Sequence, residues 1–203
     1  MPFAPSFAGV VLAAGASSRM GRDKALLPWR DGTFLSAAIR ALQPMTDLVI
    51  VVVGRNEADL EPVINANAAF MVVNGNPDRG QFSSLQIGLQ EVLNRGRDAA
   101  IVTLVDRPPP GPATIEELKD DFLDCPDGIW AVVPQYSGKH GHPIVIRREM
   151  IGAFLNAPVS SSAREVEHAA QEHIRYLAVD DPLVAVNIDT PEDLNQLQAG
   201  STS

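Results

Sequence analysis

The sequence is short of cysteine, of net positive charge and of long apolar runs, and each shortage excludes something. Its one cysteine, Cys125, rules out an internal disulfide and a cysteine-built zinc site. The neighbours Asp124, Pro126 and Asp127 disfavour a thiolate there, so Cys125 is assigned no chemistry. No apolar stretch approaches the roughly 18 residues of a membrane-spanning helix, and Met1 to Phe7 lacks the basic opening of a secretory signal. The expectation is a cytoplasmic protein. A formal net charge of −9 argues against a nucleic-acid partner, which calls for a basic face. There is no internal repeat and no dividing linker. The 203 residues therefore read as one domain (residues 1–203), its core at about 8–195 and its tails loose.

Two familiar phosphate-binding patterns are missing as well. Gly15 and Gly21 are six apart and Lys24 precedes Ala25, which breaks the Walker A spacing; no glycine at position 17 completes a dinucleotide fingerprint. What is present is a buried-strand pattern at Val10 to Ala13 running into a loop of small residues, Ala14 to Lys24. Four of the sixteen lysines and arginines fall between Arg19 and Arg30. Small residues let backbone N–H groups approach an anion, and Arg19, Arg22 and Lys24 supply charge for phosphates. The alternative is a solvated basic turn.

The remaining pattern alternates strands with helices. Leu35, Ala38, Ile39 and Leu42 mark one helix face, and Leu48 to Val53 is a continuous β-branched run. A short helix over Leu60 to Asn65, a strand at Phe70 to Val73 and a loop from Asn74 to Gly80 follow. The next helix carries Leu85, Gly88, Leu89 and Val92, capped by Ser83 or Ser84, and a buried strand spans Ala100 to Val105. Thr114 with Glu117 predicts a capping box, as does Ser162 with Glu165, whose helix extends to about His173. Strands are expected at Ile129 to Pro134, Ile144 to Arg147, Tyr176 to Val179 and Leu183 to Ile188. Thr190-Pro191-Glu192-Asp193 opens a last helix. The alternation to residue 125 implies a parallel sheet, with mixed pairing later.

In such a sheet ligands gather beyond the carboxyl ends of the strands, where the Gly15–Lys24 loop, Asp106 and Asp189 are expected. Two carboxylates beside a polyphosphate suit Mg²⁺. The competing readings are a turn aspartate before Pro108 and a helix-start aspartate beside Thr190. His140 and His142 read as acceptor contacts or plain loop residues, since no third zinc ligand is apparent. His168 and His173 are expected to face solvent, and Trp29 and Trp130 to sit in the core.

The opening stretch resembles the signature L-A-A-G-x-S-x-R-M-G-x-x-K-x-L-L-P of nucleotidyltransferases with a GT-A-like fold. Leu12, Ala13, Ala14, Gly15, Ser17, Arg19, Met20, Gly21, Lys24, Leu26, Leu27 and Pro28 all match in register. The branch it is most similar to is the MobA-like NTP transferases, of the molybdenum cofactor cytidylyl- and guanylyltransferase type. Three further stretches resemble family elements: Gly80 to Leu89, which faces the base; Gly141-His142-Pro143, on the acceptor side; and Ile188 to Leu194, whose Asp189 helps hold metal.

The resemblance implies an α/β, three-layer Rossmann-like (GT-A-type) fold with a mostly parallel central sheet and a mixed C-terminal part. It implies Mg²⁺-dependent transfer of a nucleotidyl group from CTP, or next GTP, to a phosphorylated acceptor such as molybdopterin. Pyrophosphate would be released and the product passed to a molybdoenzyme or its chaperone. Arg19, Lys24 and Asp106 would be catalytic, and Asp106 and Asp189 would hold the metal. Leu12, Ala13, Ala14, Gly15, Gly80 and Ser84 would hold base and ribose, with Arg19 and Lys24 on the phosphates. Alternatives are a sugar- or alditol-phosphate acceptor, or a nucleotide-binding accessory protein without turnover. The chain departs from the family at Arg107, where Gln, Met or Thr is usual, and at Val159 to Ser162, where G-D-x-G-A-R often stands. Arg107 either turns outward or contacts the acceptor.

Overall fold

The computed structural model describes residues 5–15 and 23–200. Strand β1 (Phe7–Leu12) is flanked by β4 (Leu48–Val53) and β6 (Ala99–Leu104), and both pairings are parallel. The lesser elements between β1 and β4 are a small antiparallel pair, β2 (Pro28–Trp29) with β3 (Gly32–Thr33), and helix α1 (Phe34–Leu42). Strand β5 (Phe70–Val73) extends the parallel set. Beyond β6 the sheet turns mixed. Strands β7 (Ala131–Tyr136), β8 (Lys139–His140), β9 (Ile144–Arg147) and β10 (Ile174–Ala178) complete the order β10-β7-β9-β6-β1-β4-β5, with β8 on β7. Strand β9 runs antiparallel to both β6 and β7, whereas β10 is parallel to β7.

The continuous apolar runs of the central strands follow from burial on both faces. Along β1, Phe7 and Val11 join one core; Ala8, Val10 and Leu12 join the other. The first is covered by α1, α2 (Glu57–Ala66) and α4 (Pro112–Asp124). The second is covered by α3 (Gln81–Asn94), α5 (Arg148–Asn156) and α6 (Ala163–Ala169). Helix α3 lies so close to the sheet that a Cβ on Gly88 would meet Val10 and Val52 side chains at 2.9 Å. A smaller cluster of Leu27, Trp29, Phe34 and Ile188 is joined by Leu194 and Leu197 of α7 (Pro191–Gly200). It draws the C-terminal segment against the residues after the basic loop.

Several expectations are corrected. Leu183 to Ile188 forms no strand: Pro182–Ala185 is a 3-10 turn capped by Asp181, whose carboxylate accepts from Leu183 N. Thr114 does not cap α4, which starts at Pro112 after Gly111; its hydroxyl donates to Asp181 Oδ2 at 3.0 Å, and Gly111 N donates to the same oxygen at 2.8 Å. Neither Ser83 nor Ser84 caps α3, whose N-cap is Gly80 at φ 89°. The helix from Ser162 ends at Ala169, with a 3-10 turn at Gln171–His173. The Ser162–Glu165 capping box is present. Trp29 is buried, but Trp130 is only half-buried and stacks on His173 at 3.6 Å, so His173 does not simply face solvent.

Candidate active site

The segment leaving β1 is clamped from the neighbouring turn. Asn56 Nδ2 donates to Ala13 O at 2.8 Å and to Asp23 Oδ2 at 2.5 Å. Asp23 in turn caps a 3-10 turn, Lys24–Leu26, accepting from Ala25 N at 2.9 Å. That turn fixes the base of Lys24. Arg19 and Arg22 lie outside the described residues, as do the loop's other members from 16 to 22.

Asp106 lies just past β6. The β1–β6 pairing continues through Val105 N to Leu12 O at 3.1 Å, and Ile188 N donates to Asp106 O at 3.0 Å. This last bond sets Asp189 beside Asp106. Lys24 Nζ then reaches both acids, 2.9 Å from Asp189 Oδ1 and 3.7 Å from Asp106 Oδ2. The remaining Asp189 oxygen accepts from Asn187 Nδ2 at 2.5 Å. Asp193 secures the backbone there, accepting from Asp189 N and Thr190 N, and these bonds hold its carboxyl below the usual range.

Magnesium asks for one or two carboxylates, with phosphates and waters completing its six ligands. Asp106 and Asp189 supply two hard oxygens, both turned toward Lys24 Nζ. Asp106 Oδ1 is also buried without a hydrogen-bond partner. The donor set fits a substrate-bridged Mg²⁺. It does not make an all-protein cage: the described residues contain no group of three or more such ligands.

Gly80 lines the cavity beside α3. Ser84 does not face it openly: its side chain is buried, and its hydroxyl accepts from Asn74 Nδ2 at 2.9 Å, as Ser83 does at 3.0 Å. Asn74 also accepts from Asn76 N, which ties the Asn74–Gly80 loop to α3. Sequence reasoning missed Asn74; its only signal was an amide closing a β-branched run.

A cavity of about 520 Å³ opens at the carboxyl ends of β1 and β6. Leu12, Val102, Leu104 and Ile144 give it an apolar floor, α3 adds Phe82 and Leu85, and α6 adds Arg164 and Glu167. Arg107 and His142 complete the wall. His142 is seated by its own backbone, donating to Val184 O at 2.9 Å, while Gly141 N donates to Pro134 O at 2.8 Å. A Cβ on Gly141 would stand 2.1 Å from Val184 O, so only glycine fits. Burial, aided by Arg107, pushes the His142 imidazole down to about 3 and keeps it neutral. Burial also lowers Arg107, offset in part by Asp106 and Asp189. It raises Glu167 against the opposing pull of Arg164. His140 behaves differently, stacking on Tyr176 at 4.0 Å in an exposed position.

With this geometry in view, residues 9–174 match the model of the MobA-like NTP transferase domain. The chain belongs to this family. It is 27% identical to the molybdenum cofactor cytidylyltransferase of Escherichia coli K12, over 91% of each chain. It is 30% identical to the probable molybdenum cofactor guanylyltransferase of Rhodopirellula baltica, over 96% of this chain and 93% of that one. Among solved structures, Rv0371c of Mycobacterium tuberculosis in complex with manganese superposes with a TM-score of 0.77 at 27% identity, covering 95% of this chain and 97% of that one. This MobA-like protein is thus a nucleotidyltransferase with its family's mostly parallel α/β sheet. No helix among its described residues is long and apolar enough to cross a membrane.

Proposed function

We propose that this MobA-like transferase, acting as one domain, moves a nucleotidyl group from an NTP to molybdopterin, with CTP preferred over GTP and pyrophosphate released. The observation that carries this reading is the meeting of Lys24, Asp106 and Asp189 beside a cation-walled cavity. The names of the relatives support the acceptor and leave both bases in play. Mg²⁺ held by Asp106 and Asp189 would neutralise charge on the reacting phosphates.

The chain's own residues do the rest. The Leu12–Gly15 backbone and Gly80 border the nucleotide, and Ser84, through Asn74, holds the loop that closes over it. Lys24 keeps two carboxylates from repelling each other and brings a cation to the phosphates; Arg19 adds a second. No protein nucleophile is needed. An acceptor phosphate oxygen bonds to the α-phosphorus, the α–β bridging bond breaks, and its electron pair leaves with pyrophosphate. Catalysis is then positioning and electrostatics.

The test is pyrophosphate release with CTP, GTP, ATP and UTP, each with molybdopterin or a sugar phosphate, with and without Mg²⁺. Release with CTP and molybdopterin only when Mg²⁺ is present is the expected result. Release with a sugar phosphate alone would replace the acceptor, and tight NTP binding without release would mark an accessory protein.

A further inference from the structure

Two buried nitrogens in the cavity wall have no hydrogen-bond partner among the described residues: Arg107 Nε and His142 Nδ1. Both residues line the cavity, and Arg107 directly follows Asp106 in the chain. A guanidinium can only donate, and a neutral imidazole offers one donor and one acceptor. Buried polar groups left unmatched are expensive, so their presence in a cavity wall asks for a ligand that completes them. The apolar floor asks for a ligand with a flat or apolar body.

Charge narrows the choice. An acceptor phosphate entering beside Asp106 and Asp189 carries about two negative charges near neutrality, since its second ionisation falls at about pH 6. It would be repelled by both carboxylates. Lys24 is already engaged by both carboxylates, and Arg107, next in sequence to Asp106 and lining the cavity, is a further cation able to offset this. A guanidinium also matches phosphate geometry with paired donors.

We propose that Arg107, in the cavity wall it shares with His142, anchors the acceptor's phosphate dianion and restricts this enzyme to acceptors that present one. The inference rests on the nucleotidyl-transfer reading and adds the residue that selects the acceptor. The dianion needs no deprotonation: one of its oxygens donates a lone pair to the α-phosphorus as pyrophosphate departs with the broken bond's electrons. Total charge is the same before and after.

The test compares wild type, Arg107→Gln and Arg107→Lys by equilibrium binding under anaerobic conditions. The probes are molybdopterin, dephosphorylated molybdopterin, glucose 1-phosphate, glucose, and CTP with Mg²⁺. Wild type is expected to favour the phosphorylated acceptor over its dephosphorylated form by at least about tenfold, a difference of 1.4 kcal/mol. Arg107→Gln should abolish that preference and Arg107→Lys restore part of it, while CTP still binds each variant. In turnover, the acceptor KM should rise about tenfold in Arg107→Gln, with kcat changed far less. If only glucose 1-phosphate shows the Arg107-dependent preference, the anchor stands and molybdopterin falls as acceptor. If the variant weakens both molybdopterin forms equally, or weakens CTP instead, the anchor is overturned and nucleotidyl transfer to molybdopterin survives. Failure of every acceptor to bind wild type would overturn both.

Discussion

On one side of the β6 carboxyl end, Lys24 answers two carboxylates at once; on the other, Arg107 and His142 hold buried nitrogens that no described side chain meets. The first cluster is paired within the protein except at Asp106 Oδ1, an acceptor left for a cation or donor, and would be recast by an oxygen-rich ligand as a metal and phosphate site. The second leaves a guanidinium donor that an anion would meet. Such an asymmetry suits an enzyme that joins two phosphate-bearing substrates at one point, because each side can recognise its substrate by a different deficit.

The largest expected effect comes from breaking the acid side. Asp106→Asn removes one of the two charges facing the metal position, and kcat/KM should fall at least about a hundredfold, 2.7 kcal/mol, with a steeper Mg²⁺ requirement. A metal titration identical to wild type would remove Asp106 as a ligand. On the cavity side, Gly141→Ala forces a methyl onto the Val184 carbonyl. The cost should lie near the upper end of about 1–3 kcal/mol, read as a lower denaturant midpoint, and acceptor binding should weaken as His142 shifts.

A pH comparison sharpens the contrast. The His142 imidazole ordinarily titrates at 6.5 and in the folded protein at about 3. Below pH 6.5 the unfolded chain therefore takes up a proton that the folded chain refuses. The stability held above pH 6.5 is lost progressively as pH falls toward 3, by about 2 kcal/mol between pH 7 and pH 5. Unfolding free energies of His142→Gln from urea titrations across this range should decline less steeply than those of wild type by that amount. The smallest guaranteed effect is that of Lys24→Ala, at least about tenfold in kcat/KM or 1.4 kcal/mol. Unchanged kinetics would take Lys24 out of the mechanism.

The sequence was most readable where burial was simplest. Strands β1, β4 and β6 are covered on both faces, so apart from the buried Thr103 of β6 their side chains are apolar, and α1 shows one clean stripe. The same signal misled at Leu183 to Ile188, where apolar side chains pack inward from a 3-10 turn that Asp181 and Pro182 dictate. Thr114 with Glu117 met every local requirement of a cap, yet a distant carboxylate claimed the threonine hydroxyl. Of the site, Asp106 and Asp189 could be located from strand ends and a helix-start motif. Ser84 could not be judged, because its burial depends on Asn74 across a loop. Arg107 could be noticed as unusual, but that it lines a cavity with residues of α3, α6 and β9 is something no local pattern records.

The Asp181 carboxylate grips Gly111, Thr114 and its own 3-10 turn. It therefore fastens the segment that follows Asp106 to the segment that precedes Asp189. Two reactive groups encoded far apart share a single internal brace, so their mutual alignment is inherited from a side chain that touches neither. Drift at position 181 would leave every signature motif intact and still detune the chemistry.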